Sequence, residues 1–278
     1  MNKEHLGPQV LLRAWPFPRG AGRIIDRFFS KLSFNDDVAV VRTTDGFSLS
    51  VMPNELIGRH LYLTGEFDRS TVEVLLKFAR PGDTLLDVGA NIGYVSACFL
   101  TKVPGSMAVA IEPQPKIVDL LRANLEQFGS RAYVVPVAIS DRDGEGCLQI
   151  DRANRGASRL TSEDSVDTAK VEVWSPERLF FTLQRPRIDL IKIDVEGHEE
   201  SVFRGLEPFL AEYRPRLIIF EDHGTQASPC APIGLLLARI GYSVFGVHKK
   251  LTKLAFEHIR SAADCQYNDY VAMLPSNR

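Results

Sequence analysis

The stretch that decides the fold is Leu85-Leu86-Asp87-Val88-Gly89-Ala90-Asn91-Ile92-Gly93-Tyr94. A short apolar run ends in an acid, and two glycines follow four positions apart. This pattern predicts a buried strand that turns through a tight loop into a helix. Little side-chain bulk lies in the loop, so a ligand can approach its backbone.

An acid follows at the separation that a nucleoside site requires. Glu112 comes 19 residues after Gly93, at the end of a second apolar run over residues 107–111. In a strand–helix–strand unit that acid lies beside the first loop, where its carboxylate can bind the hydroxyl groups of a ribose. The candidate binding residues are Asp87, Gly89, Asn91, Gly93 and Glu112.

From Thr84 onward, short apolar runs alternate with amphipathic stretches, which predicts an α/β fold: a mostly parallel sheet with helices on both faces. The polar stretch 141–187 interrupts this alternation, and we expect a loop at 151–156 that folds over a site or moves. Strands are expected near residues 84–88, 107–111, 133–138, 188–194, 216–221, 242–247 and 269–274. Helices are expected near residues 94–102, 115–128, 199–212 and 231–240.

An extension of residues 1–66 is expected ahead of the α/β domain, which we assign to residues 67–278. Residues 1–36 interleave basic and aromatic side chains, typical of a helix packed on the domain with a solvated basic side. A peripheral membrane contact or a recruitment arm is the alternative. Residues 37–66 alternate apolar and polar around Thr44-Asp45-Gly46, which predicts a β-hairpin.

The composition is that of an ordinary globular protein, with 278 residues, 45% hydrophobic and 24% charged. The net charge of −2 gives no electrostatic case for nucleic acid as a partner. The four cysteines are far apart, so free thiols in a reducing compartment are expected. No apolar run approaches the ~20 residues that cross a bilayer, and no secretory signal is evident. A cytoplasmic protein is expected, with residues 1–36 as an optional contact to the inner face of a membrane.

Polar residues follow three further expected strands, at the edge where a parallel sheet binds its ligands. We expect these groups to converge on one crevice, although single residues of this kind are often helix caps. The residues are Ser140 and Asp141 after the third strand, Asp194, Glu196 and His198 after the fourth, and Glu221, Asp222 and His223 after the fifth.

The fourth of these strands is strongly apolar yet carries Lys192 in its middle. A lysine in a central strand costs free energy unless it is paired. By strand alternation Lys192 and Asp194 lie on one face, so an ion pair or a shared polar crevice is expected. A structural and a functional pair are equally good interpretations of Lys192, whereas for Asp194 we favour function because the strand opens there into the cleft.

His198 is a candidate general base, because imidazole titrates near neutral pH. A capping or surface histidine is the alternative. A hard divalent cation held by Asp194, Glu221, His198 and His223 is a further alternative. We disfavour it because no pair of these residues has the spacing of a local metal motif.

Together these motifs resemble the FkbM family of S-adenosylmethionine-dependent methyltransferases. The resemblance covers about residues 60–223, and the run Lys192-Ile193-Asp194-Val195-Glu196-Gly197 is its specific part. It implies the class I methyltransferase (Rossmann-like) fold, a seven-stranded sheet with an antiparallel last strand near 269–274. The supporting residues are Asp87 to Tyr94, Glu112-Pro113, Lys192 to Glu199, Gly205 and Glu221.

The resemblance also implies S-adenosyl-L-methionine as the cofactor. Asp87, Gly89 and Gly93 would surround its methionine and sulfonium part, and Glu112 would bind its ribose. The turn at 137–141, which includes Ser140 and Asp141, would border the adenine. The implied reaction is O-methylation of a hydroxyl on a sugar, glycolipid or secondary metabolite, so a small-molecule, glycan or lipid-linked acceptor is expected.

We hypothesise that Asp194 or His198 takes the proton of the acceptor. Glu196 or Glu221 would orient the substrate or the base, and Lys192 would tune Asp194. Because a carboxylate beside a lysine is a weak base, His198 is favoured unless a metal activates the hydroxyl.

Two rival functions stay open. A nicotinamide-dependent oxidoreductase on the same sheet would prefer a Gly-x-Gly-x-x-Gly turn, which this chain lacks. A non-catalytic methyltransferase fold could act as a recruitment module through residues 1–36. The intact loop residues and Glu112 count against loss of the cofactor.

Overall fold

The central sheet has eight strands. The computed structural model describes residues 9, 12–15, 20–35, 37–150, 158–161, 168–184, 186–224, 226–249 and 253–275. The strands are β1 (Ala39–Arg42), β2 (Ser48–Val51), β3 (Thr84–Val88), β4 (Met107–Ile111), β5 (Ala132–Val135), β6 (Ala138–Ile139), β7 (Gly144–Gln149), β8 (Arg159–Thr161), β9 (Thr168–Trp174), β10 (Leu190–Ile193), β11 (Leu217–Glu221), β12 (Ser243–Lys249), β13 (Leu254–His258) and β14 (Asp269–Met273).

The order in the central sheet is β13-β12-β14-β11-β10-β3-β4-β5. The strands are parallel except for β13 and β14. The seven predicted strands are present, and the antiparallel last strand is confirmed. The eighth strand, β13, was not predicted, because it lies at the edge of the sheet with every side chain at least partly exposed, which weakens the apolar signal.

Helices cover both faces of this sheet and enclose two separate cores. Neighbouring residues of β3 point to opposite faces, so Leu85 lies in one core and Leu86 in the other. The helices are α1 (Ala21–Ile24), α2 (Leu56–Thr64), α3 (Arg69–Phe78), α4 (Tyr94–Lys102), α5 (Pro115–Leu125), α6 (Pro176–Thr182), α7 (Glu199–Tyr213) and α8 (Pro232–Arg239). Helices α3, α4 and α5 pack in the first core, and α6, α7 and α8 in the second.

The N-terminal elements share a core with the sheet. Strands β1 and β2 form the predicted hairpin, and Leu49 and Val51 lie in the same cluster as Leu85. Helix α1 widens into a π-helical turn over Ile25–Phe29 and packs on α2 through a smaller apolar cluster. The division of the chain at residue 66 stays a prediction.

A second sheet occupies much of the polar stretch 141–187, which interrupts the alternation of strands and helices. Its order is β6-β9-β7-β8, with β7 antiparallel to both of its neighbours. Sequence analysis assigned no strand or helix to 141–187, so β7, β8, β9 and α6 were not predicted. The small apolar cluster behind the sheet rests on few side chains, so the signal in the sequence was weak. The loop predicted at 151–156 lies outside the described residues.

The sheet reverses its direction of winding at β3. From there the chain builds outward through β4 and β5 on one side and through β10 and β11 on the other. Such a reversal opens a crevice at the carboxyl ends of the strands. In the described part of the chain, no helix has the length and apolar character needed to cross a bilayer.

Candidate active site

The loop after β3 has the backbone conformation that its glycines allow. Gly89, Asn91 and Gly93 all have positive φ angles, of 80°, 50° and 88°. A Cβ atom on Gly89 would lie 1.8 Å from the carbonyl oxygen of Asp194. The amides of Gly89 and Ala90 both donate to the carbonyl of Ile111, which ties the loop to the end of β4. The loop therefore lies directly between β4 and β10.

Glu112 is the buried acid beside this loop, 8% exposed. Its Oε2 accepts the amide of Asn91 at 3.0 Å, and its Oε1 accepts the amide of Gln114 at 3.0 Å. Burial raises the pKa of Glu112 to about 7, against the lowering effect of these two hydrogen bonds. Each carboxylate oxygen has a second lone pair, so Glu112 can still accept hydrogen bonds from a ligand.

Lys192 lies at the centre of the crevice with three oxygen partners. Its Nζ donates to the carbonyl of Gly89 at 2.6 Å and lies 3.4 Å from Asp87 Oδ1 and 3.3 Å from Asp194 Oδ2. The expected ion pair between Lys192 and Asp194 is confirmed. Burial works to lower the pKa of Lys192, but the negative charges of Asp194 and Asp87 raise it above its ordinary value. Lys192 is therefore a permanent cation that joins β10 to the loop after β3.

Three carboxylates converge where β10 and β11 end. Asp194, Glu196 and Glu221 each offer an oxygen within 4.8 Å of the others. Burial, followed by the charge of Asp194, raises the pKa of Glu221 to about 9. This set differs from the metal ligands considered from the sequence, since the two histidines have other contacts: His223 is mostly exposed beside Glu221, and His198 contacts Ser140.

His198 immediately precedes α7 and faces the end of β6. Its Nε2 lies 3.0 Å from the hydroxyl oxygen of Ser140, and that hydroxyl is 3.3 Å from Asp141 Oδ1. Burial lowers the pKa of His198, which keeps the imidazole neutral at neutral pH. The structure thus places Ser140 and Asp141 against His198, whereas Val137, Ala138 and Ile139 before them line the cavity. The cofactor roles of Ser140 and Asp141 stay predictions.

One cavity of about 450 Å³ connects these groups. Gly89, Asn91, Glu112, Lys192, Asp194, His198 and Glu221 all contribute to its wall, so residues from four of the five strand ends that were expected to converge do so. Sequence analysis missed several wall residues from other elements. They are Leu56, Ile57 and His60 of α2, Asp68 before α3, Leu148, Ser158 and Leu160 near the second sheet, and Lys249 and Asp269 of β12 and β14.

The missed residues gave no motif of their own. Asp68 caps α3, because its carboxylate accepts the amide of Thr71, and this local role gives no indication of a cavity. Nothing in the spacing of Lys249 or Asp269 indicated the cavity, because only the pairing of β14 with β11 and β12 brings these residues to it.

Known proteins resemble this chain over most of the α/β domain. A family model described as the methyltransferase FkbM domain matches residues 87–261. The hexuronic acid methyltransferase AglP of Haloferax volcanii is 29% identical over 175 residues, which cover 63% of this chain and 69% of AglP. The 31-O-demethyl-FK506 methyltransferase FkbM of Streptomyces tacrolimicus is 29% identical over 188 residues, which cover 56% of this chain and 72% of that protein.

Solved structures of methyltransferases also align with this chain. The methyltransferase FkbM from Methylobacillus flagellatus aligns with a TM-score of 0.44 and 16% identity. The alignment covers 77% of this chain and 52% of that one, so this chain spans about half the length of that protein.

Proposed function

Because this chain belongs to the FkbM methyltransferase family, we propose that it uses S-adenosylmethionine to methylate a hydroxyl group of a sugar, glycolipid or secondary metabolite. The observation that carries the proposal is Glu112: a buried carboxylate anchored on two loop amides, beside a glycine loop at the point where the sheet reverses. Such a group can accept hydrogen bonds from the two hydroxyls of a ribose.

The cavity fits the three chemical parts of that cofactor. Glu112 offers oxygen acceptors for the ribose. The apolar side chains of Ile111, Val137 and Ile139 suit a purine base. At the other end, the carboxylate of Asp194 suits the positive charge of the sulfonium and ammonium groups.

When bound, S-adenosylmethionine supplies a methyl group activated by a positively charged sulfur. The work left to the chain is to orient the acceptor oxygen, to exclude water and to remove a proton. We propose that Asp194, Glu196 and Glu221 orient the acceptor and that Lys192 holds Asp194 in place. His198 is a candidate proton acceptor, since its lowered pKa keeps a neutral ring at the cavity wall.

The charge of the cavity wall favours an uncharged hydroxyl acceptor. Carboxylates outnumber ammonium groups there, so an acceptor that carries its own carboxylate is repelled. The name of AglP specifies a hexuronic acid, and this wall argues for a neutral sugar or alcohol instead. The wall carboxylates are Asp68, Glu112, Asp194, Glu196 and Asp269, and the ammonium groups are Lys192 and Lys249. Glu221 also lies in the wall, but its pKa of about 9 keeps it protonated at neutral pH.

Calorimetric titration of the full chain tests the cofactor. We expect S-adenosylmethionine and S-adenosylhomocysteine to bind and NADH not to bind, with and without magnesium. Binding of NADH alone would point to an oxidoreductase, and binding of none of the three would favour a recruitment module. A tighter S-adenosylmethionine complex with magnesium would bring back the metal alternative.

A labelled-methyl screen then identifies the acceptor. The methyl group of S-adenosylmethionine is labelled, and methyl glucoside, methyl glucuronide and a macrolide alcohol are offered as acceptors. We expect the label on methyl glucoside or the macrolide rather than on methyl glucuronide. A preference for the glucuronide would contradict the argument from the charge of the wall.

A further inference from the structure

Asp68 reaches the cavity from a strained backbone position. It immediately precedes α3 and has a φ of 38°, in the left-handed region that few non-glycine residues adopt. Its Oδ1 accepts the amide of Thr71 at 3.4 Å, and its side chain lines the same cavity as Gly89 and Asp194. Strain of this kind persists where the surrounding structure enforces it, often at functional sites.

A buried clamp holds the start of α3 in this position. Nη1 of Arg69, the next residue, lies 2.9 Å from both carboxylate oxygens of Asp45, which is 6% exposed. The hydroxyl of Tyr94 donates to the same carboxylate at 3.1 Å. The clamp thus joins the hairpin turn to α3 and α4, and it limits how far Asp68 can move.

The charged groups around Asp68 come from three other elements. Nζ of Lys249 on β12 lies 3.9 Å from Asp68 Oδ1 and 2.5 Å from Asp269 on β14. The negative charge of Asp194, directly after β10, also acts on the carboxylate of Asp68. Burial raises the pKa of Asp68 to about 6, an effect opposed by Lys249 and reinforced by Asp269 and Asp194.

We propose that Asp68 is a catalytic residue and that its carboxylate takes the proton of the acceptor hydroxyl. The inference rests on the proposed function. As the O–H bond breaks, the proton passes to Asp68. The acceptor oxygen forms a bond to the methyl carbon, and the pair of electrons of the broken S–CH₃ bond stays on sulfur, which becomes a neutral thioether. Lys249 acts as a positioning residue that holds the carboxylate of Asp68 toward the cavity.

His198 and Asp194, the two proton acceptors considered from the sequence, are less available to take the proton. Nε2 of His198 is engaged with Ser140, and Asp194 is ion-paired with the permanent cation Lys192. Oδ1 of Asp68 receives the capping hydrogen bond, which leaves Oδ2 for a ligand. A carboxylate whose pKa lies near the working pH is also an efficient general base.

Asp68→Asn tests the proposal in the full-length protein. Asparagine caps helices as well as aspartate does and tolerates a left-handed backbone, so this variant removes the base and preserves the fold. We expect kcat for the acceptor found in the labelled-methyl screen to fall about 10²- to 10⁴-fold. The Kd of S-adenosylhomocysteine should change less than threefold. Asp119→Asn, an exposed change of the same chemistry on α5, is the matched control and should leave both values unchanged.

The pH profile separates a base from a structural residue. In the wild type, kcat/KM should fall as the pH drops through about 6, because the protonated carboxyl cannot take a proton. Asp68→Asn should lose this acidic limb. Lys249→Gln removes the cation that lowers the pKa of Asp68, so its acidic limb should move to higher pH.

Two outcomes overturn the proposal while leaving the proposed function intact. One is a kcat of Asp68→Asn within threefold of the wild type, with S-adenosylhomocysteine bound normally. The other needs no turnover: a carbon-13 NMR titration in which the Asp68 carboxyl titrates near the ordinary value of about 4. Failure of the wild type to bind S-adenosylhomocysteine would instead overturn the proposed function.

Discussion

At the scale of single residues, Glu112 shows how burial and hydrogen bonding act against each other. Folding removes this carboxylate from water, which raises its pKa to about 7. Two backbone amides donate hydrogen bonds to it, and these work to lower the pKa. At neutral pH the group is therefore poised between its charged and protonated forms. A ligand that donates hydrogen bonds to the carboxylate favours the charged form.

The affinity for S-adenosylhomocysteine should depend on the ionisation of Glu112. We expect the affinity to weaken as the pH falls through about 7, because the protonated carboxyl loses acceptor capacity. Glu112→Gln should weaken binding by about 1.5–3 kcal/mol, the contribution of hydrogen bonds to a charged group, and should remove this pH dependence. Calorimetry over a pH series measures both effects. Glu126→Gln, at an exposed position, is the control, and equal binding by the two variants would contradict the role of Glu112.

Gly89 is required for a different physical reason, the close approach of two backbones. Gly89→Ala places a methyl group 1.8 Å from the carbonyl oxygen of Asp194, at a φ of 80°. We expect the free energy of unfolding in urea to fall by about 2–4 kcal/mol. Gly144→Ala is the matched control, since its Cβ meets no atom within 4 Å, and a change within about 0.5 kcal/mol is expected there. Equal stability of the two variants would show that the loop relaxes freely.

At the scale of elements, the clamp of Asp45 explains how the hairpin is joined to two helices. Burial works to raise the pKa of Asp45, but the hydrogen bond and charge of Arg69 outweigh it, so the pKa lies below its ordinary value. A lowered pKa means that the ionised carboxylate stabilises the fold. This contribution is present above the ordinary pKa of aspartate and is lost as the pH falls through the folded value.

Asp45→Asn should therefore destabilise the protein in a pH-dependent way. We expect a loss of about 2–4 kcal/mol at pH 7, because the buried partners of the carboxylate lose their counter-charge. The difference from the wild type should shrink at low pH, where the wild-type carboxylate is also protonated. Urea unfolding at pH 7 and pH 3 measures this. Lys102→Gln removes a more exposed partner of Asp45 and should cost less; an equal or larger cost would contradict the clamp.

At the scale of the whole molecule, the basic aromatic segment is part of the packed structure where it is described. Ile25 is 1% exposed and packs with Ala21, Phe34 and Leu63, whereas Phe28 is 73% exposed. Nε2 of His60, on the cavity wall, lies 2.8 Å from Oδ1 of Asp26 on the π-helical turn that follows α1. The N-terminal segment thus supports α2, which supplies one wall of the cavity.

Ile25→Ala should lower the free energy of unfolding by about 2–4 kcal/mol, because it leaves a cavity against α2. Phe28→Ala, on the same turn, should change stability by less than about 0.5 kcal/mol. Thermal and urea unfolding of the two variants test this difference.

Vesicle co-sedimentation tests the membrane contact. Unchanged binding to vesicles after deletion of residues 1–36 would exclude these residues as a recruitment arm.

The sequence alone determined the framework of the α/β domain. Strands β3 and β4 and helix α4 have the predicted bounds, because long apolar runs and the glycines at 89 and 93 leave few alternatives to a strand, a turn and a helix. The position of Glu112 beside the loop also followed from the sequence, since a strand–helix–strand unit has a nearly constant geometry. Local periodicity and chain connectivity were sufficient for these features.

Only the tertiary structure decided what completes the cavity. Asp68, His60 and Lys249 lie outside the motifs in sequence, and their place on the same cavity wall as Asp194 depends on how α2, α3 and β12 pack against the sheet. The partner of His198 was decided in the same way, by the approach of β6 to α7. The periodicity of apolar residues in a sequence indicates whether a segment is a helix or a strand and which of its faces is buried. A polar contact between distant elements depends on how those elements pack, and it produces no periodic pattern in the sequence.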